Sequence, residues 1–367
     1  MSRTISARHI VCRLVINDNL HGLLIMPTIA IDAMGGDAGV AAATKAAAAL
    51  SLTQEVGLLL VGQEDEINSV LRRSRYDAGY LTIQHCDQWI SMDEPSREAI
   101  DKKPNASINV GARLVREGAA DALVSAGNTG ACILACARHF ERLPGVPRTA
   151  LAAVFPTERR RGETNDPFSL ILDVGATLEA DAQTLVAFAK MGSAYARCIS
   201  RNAQPRVALL SNGEETHKGK PSIVEANRIL RATPEINFIG NIEGLDLPRG
   251  RADVVVTDGF TGNVVLKMLE GMGETVVDLA KYAYRSKVTW KAGLMMLSGG
   301  LRQLKDLTDW QQYGGAPILG FDHLFIKAHG RSNARALQNA VKVAAKAVRS
   351  DLSGQINQIL RQTAVPD

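Results

Sequence analysis

Glycine-rich loops with polar side chains recur along the chain, and the first of them follows the apolar run 28–31. It contains Asp32, Gly35, Gly36 and Asp37. Glycine permits a sharp turn whose consecutive backbone N–H groups face an anion. Because carboxylates repel phosphate, we expect Asp32 and Asp37 to hold the loop or a substrate amide rather than the anion itself. The alternative is a tight turn capped by aspartate.

A second loop, SAGNTG at residues 125–130, lies between an apolar run and a predicted helix. Helix N-termini bind anions because their first N–H groups point outward at the positive end of the helix dipole. An asparagine side chain there can also donate to a developing oxyanion. The alternative is that Asn128 and Thr129 only cap the helix. The sequence predicts Asn128 as a catalytic residue and, as substrate-binding residues, Ser125, Gly127, Thr129 and Gly130.

A third loop, beginning at Asp258, repeats this design after another apolar run. Lys267 lies one helical turn beyond Asn263 on the same predicted face, from which a lysine can reach a phosphate. We therefore expect Asp258, Asn263 and Lys267 to be catalytic and Gly262 to bind substrate. The alternative for Lys267 is an ordinary solvated lysine.

Further polar residues follow predicted strands, where open α/β sheets bind their ligands. Lys218, Lys327 and His329 are candidate positive groups, although single lysines and histidines usually lie on the surface. The additional substrate-binding candidates are Asp173, Asn212, Glu215, Lys218, Gly314, Gly315, Lys327 and His329.

Short apolar runs alternate with helical stretches, which predicts a parallel sheet covered by helices in one broad two-lobed unit. The predicted strands are 28–32, 57–61, 122–125, 170–173, 207–210, 238–240 and 254–257. The predicted helices include 40–50, 110–117 and a long amphipathic helix over 333–359.

Composition excludes several classes of protein. The 367 residues are 46% hydrophobic and 22% charged, which is typical of globular proteins rather than of disordered chains or membrane bundles. A net charge of +4 is small for a nucleic-acid binder, so we expect no nucleic-acid partner. The five cysteines have no metal-ligand spacing, which favours a cytoplasmic protein without metal or cofactor. Residues 1–25 are expected to be a disordered extension or an upstream misreading, with Met26 as the true start.

The ordered motifs identify a family. IAIDAMGGD, ALVSAGNTGA, ILDVGA, NFIGNIEG, VVTDGFTGNVVLKMLEG and YGGAP with IKAHG follow one another along the chain. With these motifs, residues 26–350 closely resemble PlsX, the phosphate acyltransferase family of bacterial phospholipid synthesis. We expect residues 26–350 to form the catalytic domain and 351–367 to be a helix end and tail.

The resemblance implies attack of inorganic phosphate on the thioester of an acyl chain carried by acyl carrier protein. The acyl phosphate would feed a membrane glycerol-3-phosphate acyltransferase. Phosphate is largely a dianion near neutral pH, and a thiolate leaves without a dedicated acid, so positioning is the main task. No Ser-His-Asp or Cys-His constellation is evident, and we expect direct transfer without an acyl-enzyme.

The resemblance also implies a fold, a homodimer and peripheral association with the inner face of the cell membrane. The expected fold is a three-layer α/β/α sandwich similar to isopropylmalate dehydrogenase and phosphotransacetylase, with a protruding helical tip at about 281–310. This sequence departs from the family pattern at Val40, where proline is common, and at Thr177, where asparagine is usual. If that asparagine binds substrate, its role is in doubt here.

Two segments are candidate binding surfaces for partners. Residues 158–163 carry Arg159, Arg160 and Arg161, which could steer docking of an acidic carrier protein or form a solvated loop. Residues 281–305 carry six basic and no acidic residues beside apolar ones, which suits a membrane surface. The alternative for this second segment is a buried dimer interface or helix pair.

Three other functions remain open at the sequence level. A phosphotransacetylase that uses acyl-coenzyme A would share the fold and the phosphate site. A nicotinamide-dependent decarboxylating dehydrogenase would need an adenine-binding loop and clustered metal carboxylates, and neither is evident. A membrane-recruited scaffold for the next acyltransferase would not need intact phosphate loops.

Overall fold

The computed structural model describes residues 26–161, 166–286, 288–297 and 314–362. The chain divides into two compact units. The first comprises Met1–Glu141 with Phe321–Leu352, and the second comprises Arg142–Gly320 with Ser353–Asp367. The segments 1–25, 162–165 and 298–313, on which parts of the expected extension, arginine loop and helical tip fall, lie outside the described residues.

The first unit contains a parallel sheet of five strands. They are β1 (Thr28–Asp32), β2 (Gly57–Gly62), β3 (Leu81–His85), β4 (Ala122–Ser125) and β11 (Leu324–Lys327). Their order is β3-β2-β1-β4-β11, and every neighbouring pair is parallel. The helices of this unit are α1 (Gly39–Ser51), α2 (Glu64–Leu71), α3 (Ser96–Lys102), α4 (Ser107–Arg116), α5 (Thr129–His139) and α11 (Ala334–Arg349).

Helices cover both faces of this sheet. Consecutive residues of β1, β4 and β11 are buried, which requires cover on both sides because strand side chains alternate between the faces. Helices α1 and α11 pack together, as do α4 and α5, and both pairs contact the sheet. The register pairs Ser125 with Lys327, so the carboxyl ends of β4 and β11 lie side by side. Loops that follow these strands therefore meet at one edge.

The second unit contains a mixed sheet. Its strands are β5 (Ala150–Arg161), β6 (Asp166–Leu172), β7 (Val207–Leu210), β8 (Phe238–Ile242), β9 (Val254–Val256) and β10 (Ala316–Leu319). Their order is β10-β5-β6-β9-β7-β8, in which β5 is antiparallel to both neighbours and the remaining pairs are parallel. Its helices are α6 (Ala182–Cys198), α7 (Pro221–Arg231), α8 (Asp246–Arg249), α9 (Gly259–Ser286) and α10 (Val288–Met296); α12 (Leu352–Gln362) begins at the boundary of the units.

Helix α6 is the central helix of this unit. Asp181 caps its N-terminus by accepting a hydrogen bond from the Thr184 N–H at 2.8 Å. Most of its residues are buried, and Gly192 lies directly against β6 and β9. A Cβ at Gly192 would overlap the side chain of Val254 and lie 2.9 Å from Leu172 Cδ1. The absence of a side chain here sets how closely α6 approaches the sheet.

The structure confirms the seven predicted strands, with changed bounds, and adds four more. Strand β6 begins earlier and ends before Asp173, which places that residue in a loop. The missed β5 contains Pro156 and charged residues, a composition unlike that of a buried strand. The continuous helix predicted over 333–359 is wrong, because α11 ends at Arg349 and Asp351 has a left-handed φ of 47° before α12. Among the described helices, none is long and apolar enough to cross a membrane.

Gly192→Ala should destabilise the protein by about 1–3 kcal/mol, although alanine is the better helix former, because its methyl group overpacks the core. Urea unfolding of the variant and the wild type measures the difference. Gly271→Ala on α9 is the matched control, since a Cβ there meets nothing within 4 Å, and it should stabilise by up to ~1 kcal/mol. A Gly192→Ala protein as stable as the wild type would contradict the packing described here.

Candidate active site

Asp32 organises the loop cluster of the first unit. Its carboxylate, only 3% exposed, accepts hydrogen bonds at Oδ1 from the N–H groups of Met34 and Gly35, both at 3.1 Å. Its Oδ2 accepts from the Ser125 hydroxyl at 2.7 Å. Burial raises the pKa of Asp32, and these hydrogen bonds oppose that effect. The side chain therefore holds the loop, as expected from the sequence.

The two glycines after Asp32 are required by close contacts. A Cβ at Gly35 would lie 2.6 Å from Asp32 Oδ2 and 2.7 Å from the backbone nitrogen of Gly127. Gly36 has a φ of +88°, in the region that favours glycine. The next N–H, that of Asp37, donates to the Gly330 carbonyl at 2.8 Å. The first loop thus packs on the SAGNTG loop and on the loop that follows β11.

Asn128 caps α5, which is the alternative that the sequence analysis left open. Its Oδ1 accepts from the Ala131 N–H at 3.2 Å and from the Ser96 hydroxyl at 2.7 Å. Its amide group donates to the carbonyl oxygens of Met92 and Glu94. Both of its N–H donors are therefore used inside the protein. In this arrangement the side chain positions the loop, and an oxyanion would have to be bound by backbone N–H groups.

Lys327 brings a buried positive charge to the same loops. Its side chain is 7% exposed, and its Nζ donates to the Ala328 carbonyl at 2.5 Å. Burial lowers the pKa of Lys327, while the nearby carboxylates of Asp32 and Asp37 raise it. Within the described residues this ammonium makes that one hydrogen bond, which leaves two N–H donors for a bound anion.

The remaining candidates of this unit lie beside these residues. Thr129 and Gly130 form the exposed and half-exposed first turn of α5. His329 is half-buried, and its Nδ1 accepts from the Arg331 N–H at 3.2 Å. The first unit therefore brings together most of its predicted site residues, namely Asp32, Gly35, Gly36, Asp37, Ser125, Gly127 and Lys327.

Asp173 organises the loop cluster of the second unit. The residue is fully buried, and its Oδ1 accepts from the N–H groups of Leu151, Gly175 and Ala176 at 2.9–3.1 Å. Its Oδ2 accepts from the N–H and the hydroxyl of Thr177, at 2.6 and 2.9 Å. Burial raises the pKa of Asp173, although these hydrogen bonds act to lower it. The carboxylate therefore holds its own loop, and its role as a substrate ligand stays a prediction.

Thr177, which stands where the family usually has asparagine, has a structural role here. Besides donating to Asp173, its hydroxyl accepts from the Gly259 N–H at 3.3 Å. It thereby links the loop after β6 to the first residue of α9. A signal for this role was present in the sequence, because threonine hydroxyls often bond to nearby backbone and carboxylate groups.

The loop at the start of α9 closes tightly on Asp173. Asp258 Oδ1 accepts from the Thr261 N–H at 2.8 Å, which is an N-cap bond. A Cβ at Gly262 would overlap the Asp173 carbonyl oxygen, so only glycine fits there. Asn263 lies next in the helix, with its Cγ 3.9 Å from where a Cβ of Gly175 would be. Asn263 is thus placed over the glycine turn that surrounds Asp173.

Lys220 is a residue that the sequence analysis missed. Its Nζ lies 2.9 Å from Asp258 Oδ2, and its side chain is 60% exposed while that of Asp258 is 8% exposed. Burial alone would raise the pKa of Asp258, but the hydrogen bonds from Thr261 and Lys220 outweigh it and the pKa is lowered. The carboxylate is therefore ionised at neutral pH.

The other candidates of this unit are less constrained. The stem of Lys218 packs over Gly213, beside the exposed Glu215. Lys267 is exposed on α9, one turn beyond Asn263 as predicted, and Asn212 is exposed after β7. Gly314 and Gly315 precede β10 with φ of 75° and 89°. The roles of all these residues as ligands stay predictions.

Comparisons with known proteins agree with this geometry. A family model described as "Fatty acid synthesis protein" matches residues 27–355. The phosphate acyltransferase of Myxococcus xanthus is 40% identical over 339 residues, which are 92% of this chain and 94% of that protein. The phosphate acyltransferase of Heliobacterium modesticaldum is 41% identical over 331 residues, or 90% of this chain and 96% of that protein.

Solved structures share the fold. A phosphotransacetylase from Streptococcus pyogenes has a TM-score of 0.62 at 18% identity, over 88% of this chain and 94% of that chain. The EutD phosphotransacetylase from Staphylococcus aureus has a TM-score of 0.57 at 16% identity, with the same coverages of 88% and 94%. The likeness confirms the α/β fold class and its similarity to phosphotransacetylases. Together with the sequence matches, the loops built around Asp32 and Asp173 show that this chain belongs to the PlsX family of phosphate acyltransferases.

Proposed function

We propose that this phosphate acyltransferase takes its acyl group from acylated acyl carrier protein and transfers it directly to inorganic phosphate. The observation that carries the proposal is the use of the loop carboxylates. Asp32 and Asp173 accept hydrogen bonds from their own loops inside the protein, so their charges do not face a phosphate. In the first unit the first-turn N–H groups of α5 and the Lys327 ammonium are then offered to an anion, and in the second unit the Asn263 and Lys267 side chains are.

Direct attack is supported by the state of the possible nucleophiles. The Cys132 thiol lies 3.7 Å from the Ser125 hydroxyl, and burial raises its pKa to about 11, so it stays protonated at neutral pH. The Ser125 hydroxyl donates to Asp32, a carboxylate that already holds the loop. Neither side chain is arranged as an activated nucleophile with a base and an orienting group. Phosphate itself is the nucleophile, and the enzyme positions it.

Asn263, Lys267 and Asp258 are the proposed catalytic residues of the second unit. Asn263 and Lys267 lie on one face of α9, where an amide N–H and an ammonium can stabilise the oxyanion and the phosphate. Asp258 caps this helix. Lys218 and Asn212 are proposed as phosphate contacts of this unit.

A phosphotransacetylase activity with acyl-coenzyme A is the second candidate. The fold likeness to phosphotransacetylases favours it, because the phosphate chemistry is the same and only the thiol carrier differs.

Arg159 is exposed near the end of β5 and remains a proposed contact for the acidic carrier protein.

A homodimer is proposed through α9. Five apolar side chains are exposed along one stripe of this helix at steps of four and three: Val264, Met268, Met272, Val276 and Leu279. The helix carries both signs of charge, with Lys267, Glu270, Glu274, Asp278 and Lys281. A second copy of the same helix, related by a two-fold axis, covers the stripe, whereas an anionic membrane would be repelled by the acidic residues.

Peripheral membrane contact is proposed for residues 281–305. Met295, Met296 and Leu297 are exposed at the end of the described part of this segment, and Met296 is 89% exposed. The segment has basic but no acidic residues, unlike the stripe on α9. Apolar insertion together with lysine and arginine suits the inner, anionic leaflet of the cell membrane. There a cytoplasmic enzyme would deliver acyl phosphate to a membrane glycerol-3-phosphate acyltransferase.

Purified protein incubated with palmitoyl carrier protein and inorganic phosphate should form acyl phosphate, measured as hydroxamate after hydroxylamine trapping. Asn263→Ala and Lys267→Ala should each lower kcat/KM by about tenfold or more, through loss of a donor to a charged group. Activity with palmitoyl-coenzyme A and none with the carrier protein would favour the phosphotransacetylase. Activity with neither would overturn the proposal.

Met296→Glu should abolish co-sedimentation with vesicles of phosphatidylglycerol and phosphatidylethanolamine, because a carboxylate opposes both insertion and the anionic surface. Met272→Glu on the α9 stripe is the matched control. The Met272→Glu protein should still bind vesicles. It should instead be a monomer where the wild type is a dimer, as measured by size-exclusion chromatography with light scattering. Vesicle binding unchanged by Met296→Glu would contradict the assignment of this segment to the membrane.

A further inference from the structure

The loop that begins α9 poses an electrostatic problem for a phosphate enzyme. Its first residue, Asp258, carries an ionised carboxylate at the N-terminus of a helix that is proposed to bind a dianion. The Asp258 carboxylate is nearly buried, and repulsion between charges is strong where water is excluded. Both oxygens of Asp173 accept from N–H groups of its own loop, whereas Asp258 Oδ2 has no hydrogen bond from a loop N–H among the described residues.

Lys220 is the group that meets this oxygen. Its Nζ donates to Asp258 Oδ2 at 2.9 Å, although the two residues are 38 positions apart. The rest of the Lys220 side chain is exposed, so the ammonium stands at the surface of the loop with two further N–H donors. One cation therefore contacts the carboxylate and remains accessible to an incoming anion.

The backbone around Lys220 is held by local hydrogen bonds and close contacts, which fix the point from which its side chain projects. Pro221 is the first residue of α7, and the Lys220 carbonyl accepts from the N–H groups of Ile223 and Val224. Gly219 has a φ of +105°, and a Cβ there would lie 2.9 Å from the Ser211 hydroxyl and 3.0 Å from Ile223 Cγ2. Lys220 thus projects from the N-terminus of α7 and not from a free loop.

We propose that Lys220 determines the affinity of this enzyme for inorganic phosphate. It cancels the charge of Asp258 and donates a hydrogen bond from the same ammonium to the phosphate. Lys220 is thus a substrate-binding residue of the α9 site, additional to Lys218 on the same loop and Lys267 on the helix. This inference rests on the proposed phosphate site, and it concerns affinity for phosphate rather than the acyl donor.

The test is the KM for phosphate in Lys220→Met, Lys220→Arg and the double variant Lys220→Met with Asp258→Asn. Lys220→Met should raise this KM about tenfold or more, as for a lost hydrogen bond to a charged group, with kcat little changed. Lys220→Arg should restore most of the affinity. In the double variant the KM should fall back towards the wild-type value, because asparagine caps the helix as well as aspartate but carries no charge.

Arg228→Met is the matched control, since it breaks an exposed ion pair with Glu225 on α7, away from the loop. It should leave the KM for phosphate unchanged. A Lys220→Met enzyme whose KM stays within about twofold of the wild type, or a double variant no better than Lys220→Met, would overturn the inference. A pair with a purely structural role would lower the melting temperature and leave the phosphate KM as it was.

A second readout separates this inference from the proposed function. Phosphate bound to the folded protein raises its melting temperature whether or not turnover occurs. The wild type should be stabilised by phosphate, and Lys220→Met should need about tenfold more phosphate for the same shift. Turnover by the wild type with no effect of Lys220→Met on either readout would contradict only the inference. No turnover and no stabilisation by phosphate would overturn both.

Discussion

The buried carboxylate of Asp173 is the interaction on which the second loop cluster depends. An ionised group out of water persists only if hydrogen bonds replace its hydration, and Asp173 obtains them from the turn at Gly175, Ala176 and Thr177. The turn must therefore wrap around the carboxylate. The start of α9 then packs against it with no side chain at Gly259 or Gly262, and this fixes where Asn263 emerges.

In the first unit, Asp32 is the corresponding buried carboxylate that hydrogen bonds stabilise. There a buried carboxylate at the end of β1 accepts from its own loop and from the hydroxyl of Ser125 on β4. In both units the buried acid accepts hydrogen bonds from its own loop. Loops rich in aspartate can in this way serve a phosphate dianion. Lys327 and Lys220 supply positive charge where a carboxylate remains close to the loop surface.

The sequence was sufficient to predict the α/β class and the loops, because short apolar runs followed by glycine and polar residues have few structural solutions. It was not sufficient for β5, whose Pro156 and charged residues resemble a surface segment, or for the break at Asp351, where one left-handed residue ends a continuous apolar pattern. Residue types alone also could not decide between capping and catalysis for Asn128. That choice depends on Met92 and Glu94, whose carbonyl oxygens take its amide hydrogens.

The contact between Lys220 and Asp258 shows the same limit at the site itself. Lys220 and Asp258 are 38 positions apart and meet because β7 and β9 are neighbours in the sheet, an adjacency that the order of elements along the chain does not give. The sequence predicted Lys218 and Lys267 as candidate cations of the site. Lys220 could be proposed only once the strand order was known.

We propose that phosphate attacks the thioester directly and that Ser125 and Cys132 have structural roles and form no acyl-enzyme. An enzyme that forms an acyl-enzyme exchanges label between acylated and free carrier protein in the absence of phosphate, because the first half of a ping-pong reaction is reversible. The most direct measurement is therefore the transfer of acyl chain from palmitoyl carrier protein to isotopically labelled free carrier protein, with phosphate removed. For direct attack by phosphate, no label exchange between acylated and free carrier protein is expected until phosphate is added. Exchange without phosphate would contradict it.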